Sequence, residues 1–261
     1  MSEPIKIYLR ASNLAKYTGH NSFDPVGKVV QDLLILNKLA KGKMVTKLEA
    51  GISNLPEEKI KQLKTDLKLP ETATQRDVTR CLQQHLQPSL SSDTEDKSRE
   101  AIDTVVKKIN SPVLQKLVPS IKQDVGMARG CKRETQNLDT IQMKKRITIT
   151  DRNSKIYEKE LYRCEDYVVM IRGMMDGLGD DGVTIIESKN RTRRLFEELR
   201  GYEQVQLESY MFLTGRQKAL LTEHYNETNH CIEYSHDEEF WQDCLANVVE
   251  FMETHVMPRI M

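Results

Sequence analysis

The chain has no excess charge of either sign. Lys and Arg total 39 and Asp and Glu total 39, so the formal net charge at pH 7 is zero. That excludes a uniformly basic nucleic-acid coat and a polyacidic tail, but not a local basic groove, because a sum does not fix a distribution. Long apolar runs are missing as well. Nothing approaches ~18 consecutive apolar residues, so no transmembrane helix and no membrane partner is expected. The stretch from Met1 to Tyr17 lacks an apolar core followed by small residues and does not read as a secretory signal. Cysteine is sparse: Cys81, Cys131, Cys164, Cys231 and Cys244 are odd in number and never in CxxC spacing. That usage fits free thiols in a reducing intracellular compartment, such as cytoplasm, nucleus or organelle matrix. His224, His230, Cys231, His236 and Cys244 are zinc-capable types at no standard zinc spacing. The run from Gly126 to Lys132 lacks the four-residue gap of a P-loop, so ATP binding has no support. No internal repeat is visible.

What is present is a polar but globular mix, 38% hydrophobic and 30% charged over 261 residues, enough for one sizeable core with or without a small accessory unit. A short β-rich piece from Ile5 leads to Ser12, read as the N-cap of a short helix stopping at Gly19. Val29, Val30, Leu33, Leu34 and Leu36 give an amphipathic helix over residues 26–39. Two short helices around Pro70 follow, then a polar stretch from Leu90 to Ser98 that reads as a linker. A third helix is expected over 101–109, and Ser111-Pro112 opens another. From Met143 the period changes to two. Residues 146–150 and 155–164 read as a hairpin, Tyr167–Met175 as a third strand and Val183–Lys189 as a fourth, central one. A helix over 199–213, strands over 218–224 and 231–234, and a last helix over 239–255 complete an α/β core with a mixed sheet.

Three acids and a lysine stand where chemistry could use them. Asp176 ends one strand; Glu187 and Lys189 lie near the end of the next, two residues apart and so on one face. Carboxylates on neighbouring strands are oxygen ligands suited to Mg²⁺, which takes few protein ligands. A lysine beside them is a point charge that can orient water or stabilise a pentacovalent phosphate. The alternative is a hairpin with an exposed acid and an exposed salt bridge. Apolar flanks, an upstream helix offering Glu134 and a downstream helix carrying Gln206 and Tyr210 favour the chemical reading.

Asp176 with Glu187-Ser188-Lys189 resembles the PD-(D/E)XK nuclease signature, and Gln206-Leu-Glu-Ser-Tyr210 the QxxxY element of its RecB-like branch. Residues 202–215 are similar to the helix that follows the active site in lambda-type recombination exonucleases. Arg129-Gly-Cys-Lys-Arg-Glu134 resembles that family's first motif, and Ala11–Gly19 its N-terminal Ser-containing element. Met175 replaces the name-giving proline. The resemblance covers residues 5–24 and roughly 120–255. It implies a restriction-endonuclease-like α/β core, a central mixed β-sheet flanked by helices, with an N-terminal helical region over 1–118 and the nuclease core over 119–261 packed with residues 5–24.

The activity it implies is Mg²⁺-dependent (or Mn²⁺-dependent) exonucleolytic hydrolysis of DNA in recombination, repair or replication, including that of viral or phage-like DNA in a host cell. Asp176, Glu187, Glu134 and the Ser188 carbonyl would hold metal, Lys189 would position the water, and Gln206 would orient Lys189 or the DNA backbone. Ser12, Arg129, Lys132, Arg133, Arg191, Arg193 and Arg194 are expected to contact DNA, making binding salt-sensitive. Other expectations are a single-strand annealing protein as partner and a homo-oligomer. Alternatives are an endonuclease or RNase of the same fold, or a catalytically silent nucleic-acid-binding protein. Residues 55–90 resemble a SAP-like DNA-binding module without its usual glycine; the alternative is a plain helical insertion packed on the core.

Overall fold

The computed structural model describes residues 3–260; residues 1, 2 and 261, the outer ends of the two regions expected above, lie outside the described residues. Strand β1 (Ile5–Arg10) buries alternate residues Ile7 and Leu9 and runs directly into a 3-10 turn over Ala11–Lys16. Ser12 is therefore not an N-cap: the still-extended Arg10 occupies that position, and Ser12 sits exposed inside the turn.

Seven helices follow: α1 (Val26–Leu36), α2 (Lys47–Ser53), α3 (Glu57–Asp66), α4 (Gln75–His85), α5 (Gln87–Leu90), α6 (Glu95–Ile109) and α7 (Pro112–Lys145). Their starts are written locally. Thr46 with Glu49 and Thr74 with Asp77 form capping boxes, and Ser111 accepts from the Leu114 N–H with Pro112 in the first turn. The expected linker over 90–98 is only half a loop. Thr94 caps α6, and Glu95, Asp96, Lys97 and Ser98 form its first turn. The acids that make the stretch look like a linker are first-turn residues favoured by the helix dipole.

Helices α2 to α7 bury their own cluster, including Leu48, Ile52, Leu63, Leu82, Ile102, Leu114 and Ile121. Leu63 and Leu67 of the α3 region and Val78, Leu82 and Leu86 of the α4 region point into it, so residues 55–90 are a packed helical layer. Asp124 of α7 accepts from the Lys47 and Leu48 N–H groups at 3.2 and 2.9 Å, fastening the start of α2. Helix α7 is 34 residues long and runs through position 118/119, expected as a boundary. Its first half belongs to the helical cluster, while Leu138 and Ile141 near its end pack on Ile149, Ile186 and Leu220 of the strands.

The remaining elements are β2 (Ile149–Thr150), β3 (Tyr157–Arg163), β4 (Tyr167–Gly173), β5 (Gly177–Gly179), β6 (Thr184–Asn190), α8 (Gly201–Thr214), β7 (Lys218–Tyr225), β8 (Thr228–Ser235) and α9 (Glu238–Phe251). The expected single central sheet divides in two, ordered β1-β4-β3 and β2-β5-β6-β7-β8. Pairing is mixed, parallel for β1/β4 and β6/β7 and antiparallel elsewhere. The expected hairpin of residues 146–150 with 155–164 does not form. Residues 143–145 are still helical, β2 pairs with β5, and β3 pairs with β4. Period-2 alternation marks a strand but not its partner. Between β4 and β5 the chain leaves one sheet and enters the other over Met174-Met175-Asp176, which puts Asp176 at the junction. Ile171, Ile185, Leu221, Val205, Trp241 and Val248 meet in the main core between strands, α8 and α9.

Candidate active site

Strand β6 sets out the chemistry. It is bordered by β5 and β7, and Ile185 and Ile186 are fully buried, so its ladder is fixed on both sides. That rigid strand presents Glu187, only 4% exposed, and Lys189 two residues on. Lys189 Nζ donates to Glu187 Oε1 at 2.8 Å and to Gln206 Oε1 at 2.8 Å. Gln206, on α8, donates Nε2 to Glu187 Oε1 and to the Tyr210 hydroxyl, both at 2.8 Å. Asp176 Oδ2 accepts the Ser188 N–H at 2.7 Å, which locks it beside Glu187. Met175, in the proline position, is buried in the main core and anchors the turn through apolar packing. Gly173 lets the 3-10 turn and α8 close on the strand end, since a Cβ there would lie 2.9 Å from Ala11 Cβ and from Tyr210 Cε1.

The electrostatics are those of crowded acids. Burial, then Glu187 and Glu134, push the Asp176 carboxyl up to about 8, against the Ser188 N–H and Lys189. Burial and Glu187 also raise Glu134. Burial opposes the Lys189 charge, but Glu187 outweighs it and holds the ammonium above its ordinary value. Glu187 Oε2 is buried with no hydrogen-bond partner, as is Ser188 Oγ. A buried carboxylate oxygen without a partner is costly, and a cation beside Asp176 and Glu187 would satisfy it. The donor set is all oxygen, which suits Mg²⁺ or Mn²⁺.

Glu134 lies on α7 and lines the same cleft, but its carboxylate accepts from the Asn153 side chain. Among the described residues no group of three or more His, Cys, Asp or Glu side chains is gathered closely enough to hold a metal ion. In this structure the Glu134 carboxylate meets Asn153 and is not gathered with Asp176 and Glu187. For Ser188 the structure gives a backbone N–H on Asp176.

These groups open into a cleft of about 990 Å³. Asp176, Glu187, Lys189 and Gln206 line one side, and Ile102, Pro119 and Lys122 of α6 and α7 line the other. Gly126 allows that approach, since a Cβ there would stand 2.8 Å from Thr192 Cγ2 of the loop after β6. The helical layer is thus one wall of the site.

The expected DNA-contacting residues separate into two sets. Ser12 and Arg193 line the cleft, and Lys132, Arg193 and Arg194 are exposed. Arg129 is not at the surface. It is 1% exposed, grips Glu95 at 2.8 to 3.2 Å and donates to the Ser89 and Ser92 carbonyls at 3.1 and 2.7 Å. Arg191 is likewise buried, paired with Glu203 and Glu223 beneath the Phe196 ring. Both guanidiniums are spent on carboxylates and cannot also meet a phosphate. Arg133 is half-buried and donates to the Asp93 carbonyl. Sequence reasoning missed Glu95 and Asn190: Glu95 Oε1 also accepts from Asn190 Nδ2 at 2.8 Å, tying the residue after Lys189 to α6. Thr94 followed by two acids is the helix-start signal that could have revealed Glu95 as part of α6.

No protein-family model and no curated protein matches the chain. Among solved structures it is similar to an alkaline exonuclease from Laribacter hongkongensis, with 14% identity and a TM-score of 0.41 over 63% of this chain and 82% of that one. It is also similar to a phage-related exonuclease from Haemophilus somnus 129PT, with 12% identity and a TM-score of 0.36 over 83% of this chain and 96% of that one. Likenesses of this size leave the chemistry to be read from the side chains.

Proposed function

We propose that this chain is a divalent-metal-dependent deoxyribonuclease of the PD-(D/E)XK kind, working as an exonuclease on DNA ends. The observation that carries this reading is the grouping of Asp176, Glu187 and Lys189 in one cleft, with the Glu187 Oε2 left buried and unpartnered. Asp176 and Glu187 would hold Mg²⁺ or Mn²⁺, with the Ser188 carbonyl assisting and Glu134 acting through water. Bound there, the ion would supply Lewis-acid polarisation of a phosphoryl oxygen and a water of lowered pKa.

The chain's own groups do the positioning. Lys189 is held between Glu187 and Gln206, so its ammonium is preorganised to face the negative charge that builds as the water oxygen bonds to phosphorus and the bond to the leaving sugar oxygen breaks. Gln206 is pinned by the Tyr210 hydroxyl, which fixes the Lys189 rotamer from behind. Arg193, Arg194 and Lys132 are the exposed cations nearest in sequence to these motifs and would take the backbone phosphates. Nothing among the described residues crosses a membrane as a long apolar helix. A homo-oligomer and a single-strand annealing partner belong to the same reading.

The test is digestion of linear duplex DNA with Mg²⁺, with EDTA as control and Asp176→Ala as the site variant. Circular duplex and RNA run alongside. Mg²⁺-dependent loss of linear DNA, absent in the variant, supports the proposal. Cleavage of circles makes it an endonuclease, and preference for RNA an RNase. A variant that cuts at the wild-type rate refutes the site, and DNA binding without any cleavage leaves a silent binding protein.

A further inference from the structure

Phe23 is the most exposed large apolar side chain among the described residues, 81% open to solvent. A single exposed apolar residue is ordinary; what this one stands on is not. Its ring meets Tyr202 edge to face, centroids 6.2 Å apart. Tyr202 lies on α8 one turn before Gln206, the residue that holds Lys189, and two turns before Tyr210. Residues four apart on a helix are neighbours on one face, so Tyr202, behind Phe23, shares a helix face with the side chain that holds Lys189.

The loop that presents Phe23 is fastened. Its N–H donates to Asn21 Oδ1 at 3.3 Å, and the next residue, Asp24, pairs with Lys16 at 2.8 Å and Lys47 at 3.1 Å. Those lysines also neutralise the acid that would otherwise repel a phosphate beside the ring. The loop from β6 into α8 carries Arg193 and Arg194, both exposed and without a carboxylate partner among the described residues; Arg193 lines the cleft. An open aromatic face on a fastened loop, backed by the helix that the Arg193–Arg194 loop leads into, has the composition of a stacking platform for single strands.

We infer that Phe23, backed by Tyr202, is a binding subsite for an unpaired base of the DNA strand whose backbone enters the cleft. The cleft favours the same substrate form. It is lined by residues of β6 and by α6 and α7, with apolar Ile102 and Pro119 among them. Apolar lining beside carboxylates and a lysine suits exposed bases as well as phosphates. The inference rests on the nuclease reading and specifies its substrate as an end with unpaired nucleotides.

The experiment measures binding in EDTA, so that no turnover occurs. Fluorescence anisotropy compares a blunt duplex with the same duplex carrying a single-stranded overhang, for wild type, Phe23→Ala and Phe23→Trp. Base–aromatic stacking of about 1–3 kcal/mol corresponds to roughly 5- to 150-fold in affinity. Phe23→Ala should lose that much on the overhang and nothing on the blunt duplex, and Phe23→Trp should retain it. The fluorescent base 2-aminopurine, stepped along the overhang, should be quenched at one position in wild type and Phe23→Trp only. Unchanged overhang affinity in Phe23→Ala, which is also what a protein-docking role for Phe23 gives, overturns the inference, as does an equal loss on both substrates. A wild-type protein that digests DNA normally while Phe23→Ala behaves like it removes the platform alone. A wild-type protein that binds neither substrate in EDTA removes the platform, while the Mg²⁺ digestion of linear DNA decides the nuclease reading separately.

Discussion

Arg129→Met should cost the protein more stability than any DNA-contact substitution, and it should do so without touching DNA binding. Arg129 and Glu95 are 1% and 2% exposed, and the guanidinium makes three contacts to the carboxylate and two to the carbonyls of Ser89 and Ser92. Methionine fills much of the volume but leaves Glu95 with Asn190 at 2.8 Å and Arg133 at 3.9 Å as its remaining partners. Removing one partner of a buried ion pair typically costs about 3–5 kcal/mol, most of it the penalty on the charge left behind. At ~2–4 °C per kcal/mol for a chain of this size class, Tm should fall by about 6–20 °C. Adding Glu95→Gln removes the stranded charge, so the double variant should lose less than the sum of the singles, with a coupling of about 1–3 kcal/mol. Urea and thermal unfolding give both numbers, and a salt titration of DNA binding gives the slope. A single variant within about 1 kcal/mol of wild type, or a double variant that is simply additive, refutes the buried-pair reasoning. A salt slope that flattens in Arg129→Met means that the arginine reaches phosphate after all.

Lys189→Ala should leave DNA binding nearly intact and lower kcat by on the order of a hundredfold or more, because the ammonium acts where charge develops in the transition state; a loss confined to KM counts against that role. Lys189→Arg should rescue poorly, since a planar fork does not fit between Glu187 Oε1 and Gln206 Oε1 as a compact ammonium does. Replacing Arg193 and Arg194 together with Ala should reduce the salt slope of DNA binding by roughly one unit per lost phosphate contact, and an unchanged slope means that both are merely solvated.

The grouping of the candidate site was legible because it is local. Glu187 and Lys189 share a strand face by the period of two, and Gln206 and Tyr210 share a helix face by the spacing of four, so four of the residues that meet were already paired in the sequence. Asp176 needed one further step, a tight turn at Asp180-Asp181-Gly182, which the residues also announce. Strand partnership was not legible. The alternation in 146–150 and 155–164 is real, but β2 and β3 lie in different sheets because their partners come from elsewhere in the chain.

The arginines were misassigned for a reason that the helix makes plain. Arg129 continues the stripe of Ile121 and Val125 at spacing four, and that stripe is the buried face of α7; Arg191 continues Glu187 and Lys189 at spacing two, toward the side where Glu203 and Glu223 wait. A charge on a buried stripe needs a buried partner, and the partner can be far away in sequence, as Glu95 is from Arg129. The two buried carboxylates, Glu95 and Glu187, differ in how far they are satisfied. Arg129 and Glu95 fill each other's donors and acceptors and leave neither among the buried unpartnered atoms, whereas Glu187, with Lys189 and Gln206 both on Oε1, still holds an Oε2 with no partner. Folding alone gains nothing by burying such an oxygen. The two knots are joined through Asn190, which follows Lys189 on β6 and bonds to Glu95 on α6, so the satisfied pair braces the strand on which the unsatisfied one sits.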